Sequence, residues 1–375
     1  MKSDYEIVII GAGVCGLATA RALSEKGFHS ILIIEKEENF GQGISSRNSE
    51  VIHSGIYYPK NTLKSKYCIQ GRELLYTYCA ENDIFYNRCG KLIVANESQE
   101  TSLLKLFELG LSKGLTELKI LSRKEINQIE PKIKGSLGLK IESTGIINAH
   151  DLMNSFYQKS LSSNHDYLFK TKVLGCEITQ NGYKIAIQSP AAEIENVSCD
   201  WVINSGGLNS DLISNMIIPK KKTPSFIFSK GTYFSLSSRW RNQFSHLIYP
   251  MPDKDHRSLG IHLSFDQIGN VKLGPDAHFL QERIENYTID DSLINDFFQA
   301  ASRYIVDLKI EDLSLNFSGI RPKINSKNHT FQDFYISHEI EKGFPGWINM
   351  IGIDSPGLTS SIAIGEDVAK MIQNV

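Results

Sequence analysis

The sequence predicts a protein of the α/β class, with a parallel sheet interrupted by an inserted antiparallel one. Three features predict it. An apolar strand at residues 6–10 runs into the turn Gly11-Ala12-Gly13-Val14-Cys15-Gly16, a second apolar strand at residues 31–34 ends at Glu35, and two later strands also end in glycine turns. Strand, glycine turn, helix, strand and acidic residue follow the order of a βαβ unit that binds a dinucleotide.

The glycines of this first unit each have a physical role. Gly11 permits the tight turn, Gly13 lets the backbone approach a pyrophosphate, and Gly16 lets the helix pack close to the strand. The N-terminus of that helix offers free N–H groups to the phosphates.

Glu35 can accept hydrogen bonds from both hydroxyls of an adenosine ribose and would repel a 2′-phosphate. An ordinary glycine-rich turn is the alternative, and the motif alone does not choose between FAD and NAD. The predicted contacts in this unit are Gly11, Ala12, Gly13, Val14, Gly16, Glu35 and Lys36.

Length and composition restrict the class of protein. A chain of 375 residues is longer than one hydrophobic core usually supports, so two domains are expected. A net charge of -2 argues against nucleic acid as a partner, since such proteins usually carry a basic excess. The chain enters its first strand without a signal-peptide or transit-peptide pattern and has no apolar run of membrane-spanning length. The six cysteines form no C-x-x-C pair, which argues against a metal site or a redox dithiol. Cys15 lies inside the glycine turn, a poor place for a disulfide, so we expect a protein of the reducing cytoplasm.

The pattern of strands and helices along the chain predicts how the domains divide. α/β character occurs at the start, the middle and the end, and two stretches between them have a different, strand-rich texture. We therefore predict a cofactor domain at residues 1–85, 145–215 and 315–375, and a substrate domain at residues 86–144 and 216–314.

Two further glycine turns favour FAD over NAD. An apolar strand at residues 201–204 ends in Ser205-Gly206-Gly207, and residues 352–361 form a strand-to-helix turn. Each alone could be a plain helix cap. Three such turns on one scaffold suggest one long cofactor contacted several times, and FAD is long enough for this.

The chain also resembles known families. The three turns, together with Gly319-Ile320-Arg321-Pro322, resemble the D-amino-acid oxidase (glycine oxidase-like) superfamily of FAD enzymes over nearly the whole chain. Within it, several blocks resemble the L-2-hydroxyglutarate oxidase/dehydrogenase family: residues 46–58, 89–94, 230–234, 246–250, 273–276 and 354–361. The chain departs from that family at Glu50, where glycine is common, and in a shorter stretch at residues 277–320, which leaves the exact substrate open.

The resemblance implies an FAD-binding Rossmann-like domain with an inserted substrate domain, and it implies further cofactor contacts. The helix that starts near Pro356 should direct its positive end at the flavin. The contacts implied beyond the first unit are Ser45, Ser46, Arg47, Asn48, Ser49, Val173, Ser205, Gly206, Gly207, Arg321, Ser355, Pro356, Gly357, Leu358 and Thr359.

The resemblance also implies a reaction, the oxidation of a 2-hydroxy acid by hydride transfer from Cα to flavin N5. Arg321 is our candidate for holding the substrate carboxylate, because a guanidinium binds a carboxylate with two parallel hydrogen bonds. His53 is the candidate base for the hydroxyl proton, with His262 as its rival. A structural role, or covalent attachment of the flavin, is the alternative for His53. Glu50 is expected to raise the pKa of His53.

Three residues are candidates for a second, distal carboxylate of the substrate: Tyr57, Lys230 and Tyr249. Lys230 could equally be a solvated residue at a strand edge. The electron acceptor is left open between oxygen, a quinone and a carrier protein, as is contact with a membrane surface. The competing functions are an amine oxidase of the glycine or sarcosine type, a flavin-binding scaffold without turnover, and an NAD-dependent dehydrogenase.

Overall fold

The computed structural model describes residues 2–251, 260–325 and 331–373. The α-helices are α1 (Val14–Ser24), α2 (Leu63–Glu81), α3 (Glu100–Ser112), α4 (Arg123–Ile129), α5 (Ala149–Ser162), α6 (Ser210–Ser214), α7 (Ile294–Ser302) and α8 (Gly357–Gln373). The strands are β1 (Tyr5–Ile10), β2 (Ile31–Ile34), β3 (Val51–Ile52), β4 (Tyr86–Asn87), β5 (Lys91–Ala95), β6 (Leu118–Ser122), β7 (Leu137–Ile141), β8 (Gly145–Ile147), β9 (Asp166–Leu168), β10 (Lys172–Thr179), β11 (Gly182–Gln188), β12 (Ile194–Asn204), β13 (Phe226–Leu236), β14 (Leu247–Pro250), β15 (Leu263–Phe265), β16 (Val271–Leu273), β17 (His278–Leu280), β18 (Leu313–Ile324), β19 (Tyr335–His338) and β20 (Trp347–Ile351).

Buried aliphatic runs form the centre of the first sheet, whose strands lie in the order β19-β20-β12-β1-β2-β9. The strands from β20 to β9 are parallel, and β10 and β11 add an antiparallel ribbon to the first half of β12. Strands covered on both faces have continuous apolar sequences, as β1 and β2 do. Ile10 pairs with both Ile34 and Asn204, so the carboxyl ends of β1, β2 and β12 lie at one edge. The predicted α/β class is confirmed.

Helices α1, α2, α5 and α8 cover one face of this sheet and share one apolar core with it. Two glycines make the first turn possible. Gly11 has a φ of +105°, which side chains rarely adopt, and a Cβ on Gly16 would lie 2.1 Å from the carbonyl oxygen of Gly11. The tight turn and the close helix packing predicted from the sequence are therefore confirmed.

The second large sheet has the order β17-β13-β16-β15-β14-β5-β7-β6, with β18 hydrogen-bonded along β13. Its pairs are antiparallel except for β14 with β5. Residues 315–324 are assigned to the cofactor domain from the sequence, but in the structure they lie in β18 and pair with this second sheet. The division into two domains stays a prediction.

A three-stranded sheet, β3-β8-β4, completes the strand topology. Within the described residues, no helix combines the length and the apolar character needed to cross a membrane.

Candidate active site

A cavity of about 780 Å³ follows the carboxyl edge of the first sheet and reaches β13 and β18 of the second. This edge is where open α/β sheets bind their ligands. Most of the predicted cofactor contacts line it: Gly11, Gly13, Val14, Glu35, Lys36, Ser45, Arg47, Asn48, Ser49, Val173, Ser205, Gly206, Gly207, Arg321, Ser355, Pro356, Gly357 and Leu358. The other predicted contacts do not line it: Ala12, Gly16, Ser46 and Thr359.

The first glycine turn is fixed by hydrogen bonds from behind the cavity. Glu35 accepts one bond from the N–H of Ala12 at 2.8 Å and another from the N–H of Glu37 at 3.0 Å. Each carboxylate oxygen keeps a free lone pair, so Glu35 can still accept the hydroxyls of a ribose. Val14 donates its N–H to Ser45 Oγ at 3.0 Å, which ties the start of α1 to the following loop.

The second glycine turn is joined directly to the first. The hydroxyl of Ser205 lies 2.8 Å from the carbonyl oxygen of Ile10 and 2.9 Å from that of Gly11. Gly206 and Gly207 then line the cavity. The two turns therefore line one cavity.

The third turn brings the N-terminus of α8 to the same cavity. The hydroxyl oxygen of Thr359 accepts a hydrogen bond from the backbone N–H of His53 at 3.0 Å, which ties α8 to the segment that follows β3. Just before the helix, Asp354 is buried and forms an ion pair with Lys64 at 2.6 Å, and Lys323 approaches it at 3.4 Å. Burial opposes ionisation of Asp354, but the two lysines outweigh it and lower its pKa.

Lys64→Met is expected to destabilise the fold by about 3 kcal/mol, because it leaves the buried Asp354 carboxylate with the longer contact to Lys323 in place of its 2.6 Å ion pair. A matched control is Lys66→Met, two residues further along α2. Its ion pair with Asp367 is 2.7 Å long but the lysine is 54% exposed, so about 0.5 kcal/mol is expected. Denaturant unfolding of the cofactor-loaded protein measures both. Equal losses for the two variants would contradict the role given to Lys64.

The two candidate bases, His53 and His262, both line the cavity. Burial lowers the pKa of each to about 3, with Lys91 adding to the effect on both. His262 lies with Nδ1 3.1 Å from the Gly260 carbonyl oxygen, so in the neutral ring Nδ1–H donates and Nε2 is left as an acceptor. The Nε2 atom of His53 lies 3.4 Å from Ser355 Oγ. Two neutral imidazoles therefore face one cavity.

Glu50 does not act on His53 as expected. Its carboxylate lies 3.3 Å from Lys272 Nζ and accepts the N–H of Ala149 at 3.3 Å, while its own φ is +58°. The pKa of His53 falls rather than rises, so the expectation from the sequence is wrong. The reason is that burial of the imidazole dominates and the Glu50 charge is directed to a lysine instead.

Arg321 lies on β18 with its guanidinium at the cavity. Nη2 donates to the carbonyl oxygen of Asp276 at 2.7 Å. Over the described ranges, no carboxylate lies within ion-pair distance of this guanidinium, so its remaining donors are available to a ligand. A Cβ on Gly231 would lie 2.6 Å from Nη2, which means that only glycine leaves room for the arginine.

None of the three candidates for the distal carboxylate lines this cavity. Tyr57 lines a neighbouring cleft, Tyr249 stacks on the cavity residue His262, and the prediction for Lys230 is wrong.

The ammonium of Lys230 donates to the carbonyl oxygen of Thr288. In the register of β13 with β18, Ser229 pairs with Arg321 and Lys230 pairs with Ile320. Side chains alternate between the faces of a strand, so Lys230 lies on the face opposite Arg321.

Two residues were not predicted from the sequence, one that lines the cavity and one that lies outside its lining. Tyr233 lines the cavity, and its hydroxyl lies 2.8 Å from Ser49 Oγ. Lys91 is 1% exposed, and its Nζ lies 4.7 Å from the ring centre of Tyr57 and 4.6 Å from that of Tyr249. The available signal for Lys91 was a charged residue opening the apolar strand β5.

The cavity fits a flavin dinucleotide. It offers the N-termini of two helices, which favour phosphates, and a glutamate that can accept ribose hydroxyls. The cavity also holds Arg321 and two neutral histidines. The arginine is suited to binding the carboxylate of a small substrate, and a neutral histidine is suited to accepting the proton of its hydroxyl group.

Comparisons with known proteins agree with this geometry. The mitochondrial L-2-hydroxyglutarate dehydrogenase of Arabidopsis thaliana is 34% identical, over 98% of this chain and 83% of that protein. A glycerol 3-phosphate dehydrogenase of Caloramator mitchellensis is 29% identical, over 99% of this chain and 74% of that protein. Among solved structures, the dithionite-reduced L-α-glycerophosphate oxidase of Mycoplasma pneumoniae with FAD bound superposes with a TM-score of 0.87 at 23% identity, covering 100% of this chain and 95% of that one.

A family model described as FAD-dependent oxidoreductase, of the DAO type, matches residues 6–371. The match spans the three glycine turns, both histidines and Arg321. The chain therefore belongs to this family of FAD-dependent oxidoreductases.

Proposed function

We propose that this enzyme oxidises a small 2-hydroxy acid to the 2-oxo acid, and that the substrate is L-2-hydroxyglutarate. The observation that carries the proposal is that Arg321, without a carboxylate partner in the described part of the chain, opens into the same cavity as two neutral histidines. The similarity to curated L-2-hydroxyglutarate dehydrogenases supports the choice of substrate.

Each residue has one task in this reaction. Arg321 binds the carboxylate next to the reacting carbon with two parallel hydrogen bonds, which fixes the rotation of that carbon. His53 Nε2 accepts the proton of the hydroxyl group, because a neutral imidazole has a free lone pair. Bound FAD supplies the acceptor for the hydride that leaves the same carbon. The substrate thus loses one proton and one hydride.

The N-terminus of α8 adds an electrostatic contribution. Ser355, Pro356 and Gly357 line the cavity, and the helix that follows has its positive end there. Negative charge that develops at this end of the cavity during the reaction is stabilised by the helix.

A second candidate substrate is glycerol 3-phosphate. It is favoured by the similarity to the Caloramator mitchellensis dehydrogenase. It also has a secondary hydroxyl group beside an anionic group. Amine oxidation of the glycine or sarcosine type is the other alternative for this fold.

The electron acceptor is proposed to be oxygen, a quinone or a carrier protein. A cytoplasmic location is proposed from the cysteines, all six of which are free thiols.

The test of the proposed function is an anaerobic titration of the purified yellow protein. We expect L-2-hydroxyglutarate to bleach the flavin absorbance and to yield about one 2-oxoglutarate per flavin. D-2-hydroxyglutarate, glycerol 3-phosphate, glycine and sarcosine are the comparison substrates. Faster reduction by glycerol 3-phosphate or by an amine would replace the proposed function with that activity, and protein that releases NAD instead of FAD would exclude it.

A further inference from the structure

A buried lysine stands out beside the proposed substrate site. Lys91 opens β5, is 1% exposed, and lies with its ammonium between the ring faces of Tyr57 and Tyr249. Cation–π contacts stabilise a desolvated ammonium in part, but a buried charge normally also has a counter-ion or hydrogen-bond acceptors. None of the hydrogen bonds or ion pairs found among the described residues involves Lys91 Nζ.

The groups around Lys91 supply no negative charge. His53 and His262 are neutral, and burial raises the pKa of the Cys68 thiol to about 12, so it is also neutral near pH 7. Burial raises the pKa of both Tyr57 and Tyr249, so neither phenol ionises. Uncompensated burial accordingly lowers the pKa of Lys91 to about 7.

Two hydroxyl groups next to the lysine are also unused. The hydroxyls of Tyr57 and Tyr249 are buried, and neither has a hydrogen-bond partner among the residues that the structure describes. Buried polar atoms in native proteins are normally satisfied, so two unsatisfied hydroxyls beside an unpaired lysine point to a missing ligand. Tyr57 lines a second, open cleft that shares Arg321 and Ser355 with the cofactor cavity.

Lys91 and Arg321 both lie near His262. His262 stacks on Tyr249 with ring centres 3.9 Å apart, and both Lys91 and Arg321 are close enough to lower its pKa, after the larger effect of burial. Two cations without carboxylate partners among the described residues therefore lie near one imidazole, and an anionic ligand would supply the missing negative charge.

We propose that Lys91, together with the hydroxyls of Tyr57 and Tyr249, binds the second carboxylate of a dicarboxylic 2-hydroxy acid while Arg321 binds the first. This inference rests on the proposed function and makes Lys91 the residue that selects dicarboxylic over monocarboxylic substrates. It replaces Lys230, which faces the other side of its strand.

The chemistry of the cluster favours a carboxylate over a phosphate. One ammonium and two hydroxyl donors match the single charge and the two oxygens of a carboxylate. A phosphate monoester carries a charge of about −1.5 to −2 at pH 7, so it would leave part of that charge buried without a partner.

The experiment is a cycle of two substrates and several variants. L-2-hydroxyglutarate is compared with L-2-hydroxyvalerate, which has the same chain length and a methyl group in place of the distal carboxylate. Lys91→Met should lower kcat/KM for hydroxyglutarate about 10²-fold and should change kcat/KM for hydroxyvalerate by less than about threefold. Tyr57→Phe and Tyr249→Phe should each lower kcat/KM for hydroxyglutarate about tenfold, again with little change for hydroxyvalerate.

The matched control is Lys113→Met. Lys113 is another lysine whose pKa burial lowers, to about 8, but its ammonium donates to the carbonyl oxygens of Gly55 and Ile56. This variant is expected to lose stability without a change in the ratio of the two substrates.

Binding of glutarate gives a readout without turnover. Glutarate has both carboxylates and no reacting hydroxyl, and its binding is followed by the shift it causes in the flavin spectrum. Because only protonated Lys91 attracts the anion, the affinity for glutarate should fall up to tenfold for each pH unit above about pH 7. Lys91→Arg should bind glutarate without this fall, and Lys113→Met should keep it.

The inference and the proposed function can fail separately. If the wild type is not reduced by any 2-hydroxy acid, the proposed function fails, and glutarate binding still decides the role of Lys91. The inference would be overturned if Lys91→Met lowered kcat/KM equally for both substrates or left the affinity for glutarate unchanged. It would also be overturned if Lys91→Met lowered kcat/KM more for glycerol 3-phosphate than for hydroxyglutarate.

Discussion

His53→Asn is expected to slow the reduction of FAD by L-2-hydroxyglutarate about 10² to 10⁴-fold, the usual contribution of a general base. Asparagine keeps the approximate size and one hydrogen bond but has no basic nitrogen. The backbone contact with Thr359 is retained, because it uses the N–H of residue 53 and not its side chain. Stopped-flow reduction under anaerobic conditions measures the effect, and reoxidation of the reduced enzyme should be unchanged.

The pH profile tests the lowered pKa of this base. Burial lowers the pKa of His53 to about 3, so the imidazole is neutral and competent from about pH 5 upward. The rate of reduction should therefore not fall between pH 8 and pH 5, in contrast to a base of ordinary pKa, which would lose activity below about 6.5. Activity should fall only as the pH approaches the lowered pKa.

His262→Asn is the comparison variant, since His262 faces the same cavity with a similarly lowered pKa. If His53→Asn reduces the flavin at the wild-type rate and His262→Asn does not, the base is His262. FAD that stays with the precipitated wild-type protein, and is released from precipitated His53→Asn protein, would indicate a covalent link to His53.

The cofactor half of this site is predictable from sequence because its determinants are local. Gly11, Gly16 and Glu35 act through steric fit and hydrogen bonds within one βαβ unit, and the order of the chain alone places them together. The later turn at Ser205 could be matched to them since parallel strands end at one edge.

The substrate half depends on tertiary contacts that the sequence pattern does not encode. Whether Lys230 faces the site is decided by the register of β13 with β18, and a shift of one residue would reverse it. Lys91 is buried only because β5 lies between β14 and β7 and the two tyrosines close over it. The lowered pKa of His53 likewise follows from its burial. The sequence shows that Glu50 is three residues away but does not show that His53 is buried.

Arg321→Lys is expected to lower kcat/KM for the hydroxy acid about 10²-fold or more, with FAD retained. Lysine keeps the positive charge but cannot form two parallel hydrogen bonds, so the substrate carbon is no longer held in one rotation. The bond from Nη2 to the Asp276 carbonyl, which now fixes the guanidinium, is lost as well. Steady-state kinetics together with FAD content per protein separates substrate use from cofactor binding.

Two further variants test whether the geometry of the guanidinium, rather than the fold, is responsible for this loss. Gly231→Ala leaves Arg321 in the chain but places a Cβ 2.6 Å from its Nη2, so it should also reduce substrate use with FAD still bound. Arg239→Lys makes the same chemical change in a half-exposed ion pair with Asp312, away from the cavity, and should leave kcat/KM near the wild-type value. An Arg321→Lys enzyme with unchanged kcat/KM would remove Arg321 from the substrate site, whereas a loss of FAD in parallel with activity would make it a cofactor ligand instead.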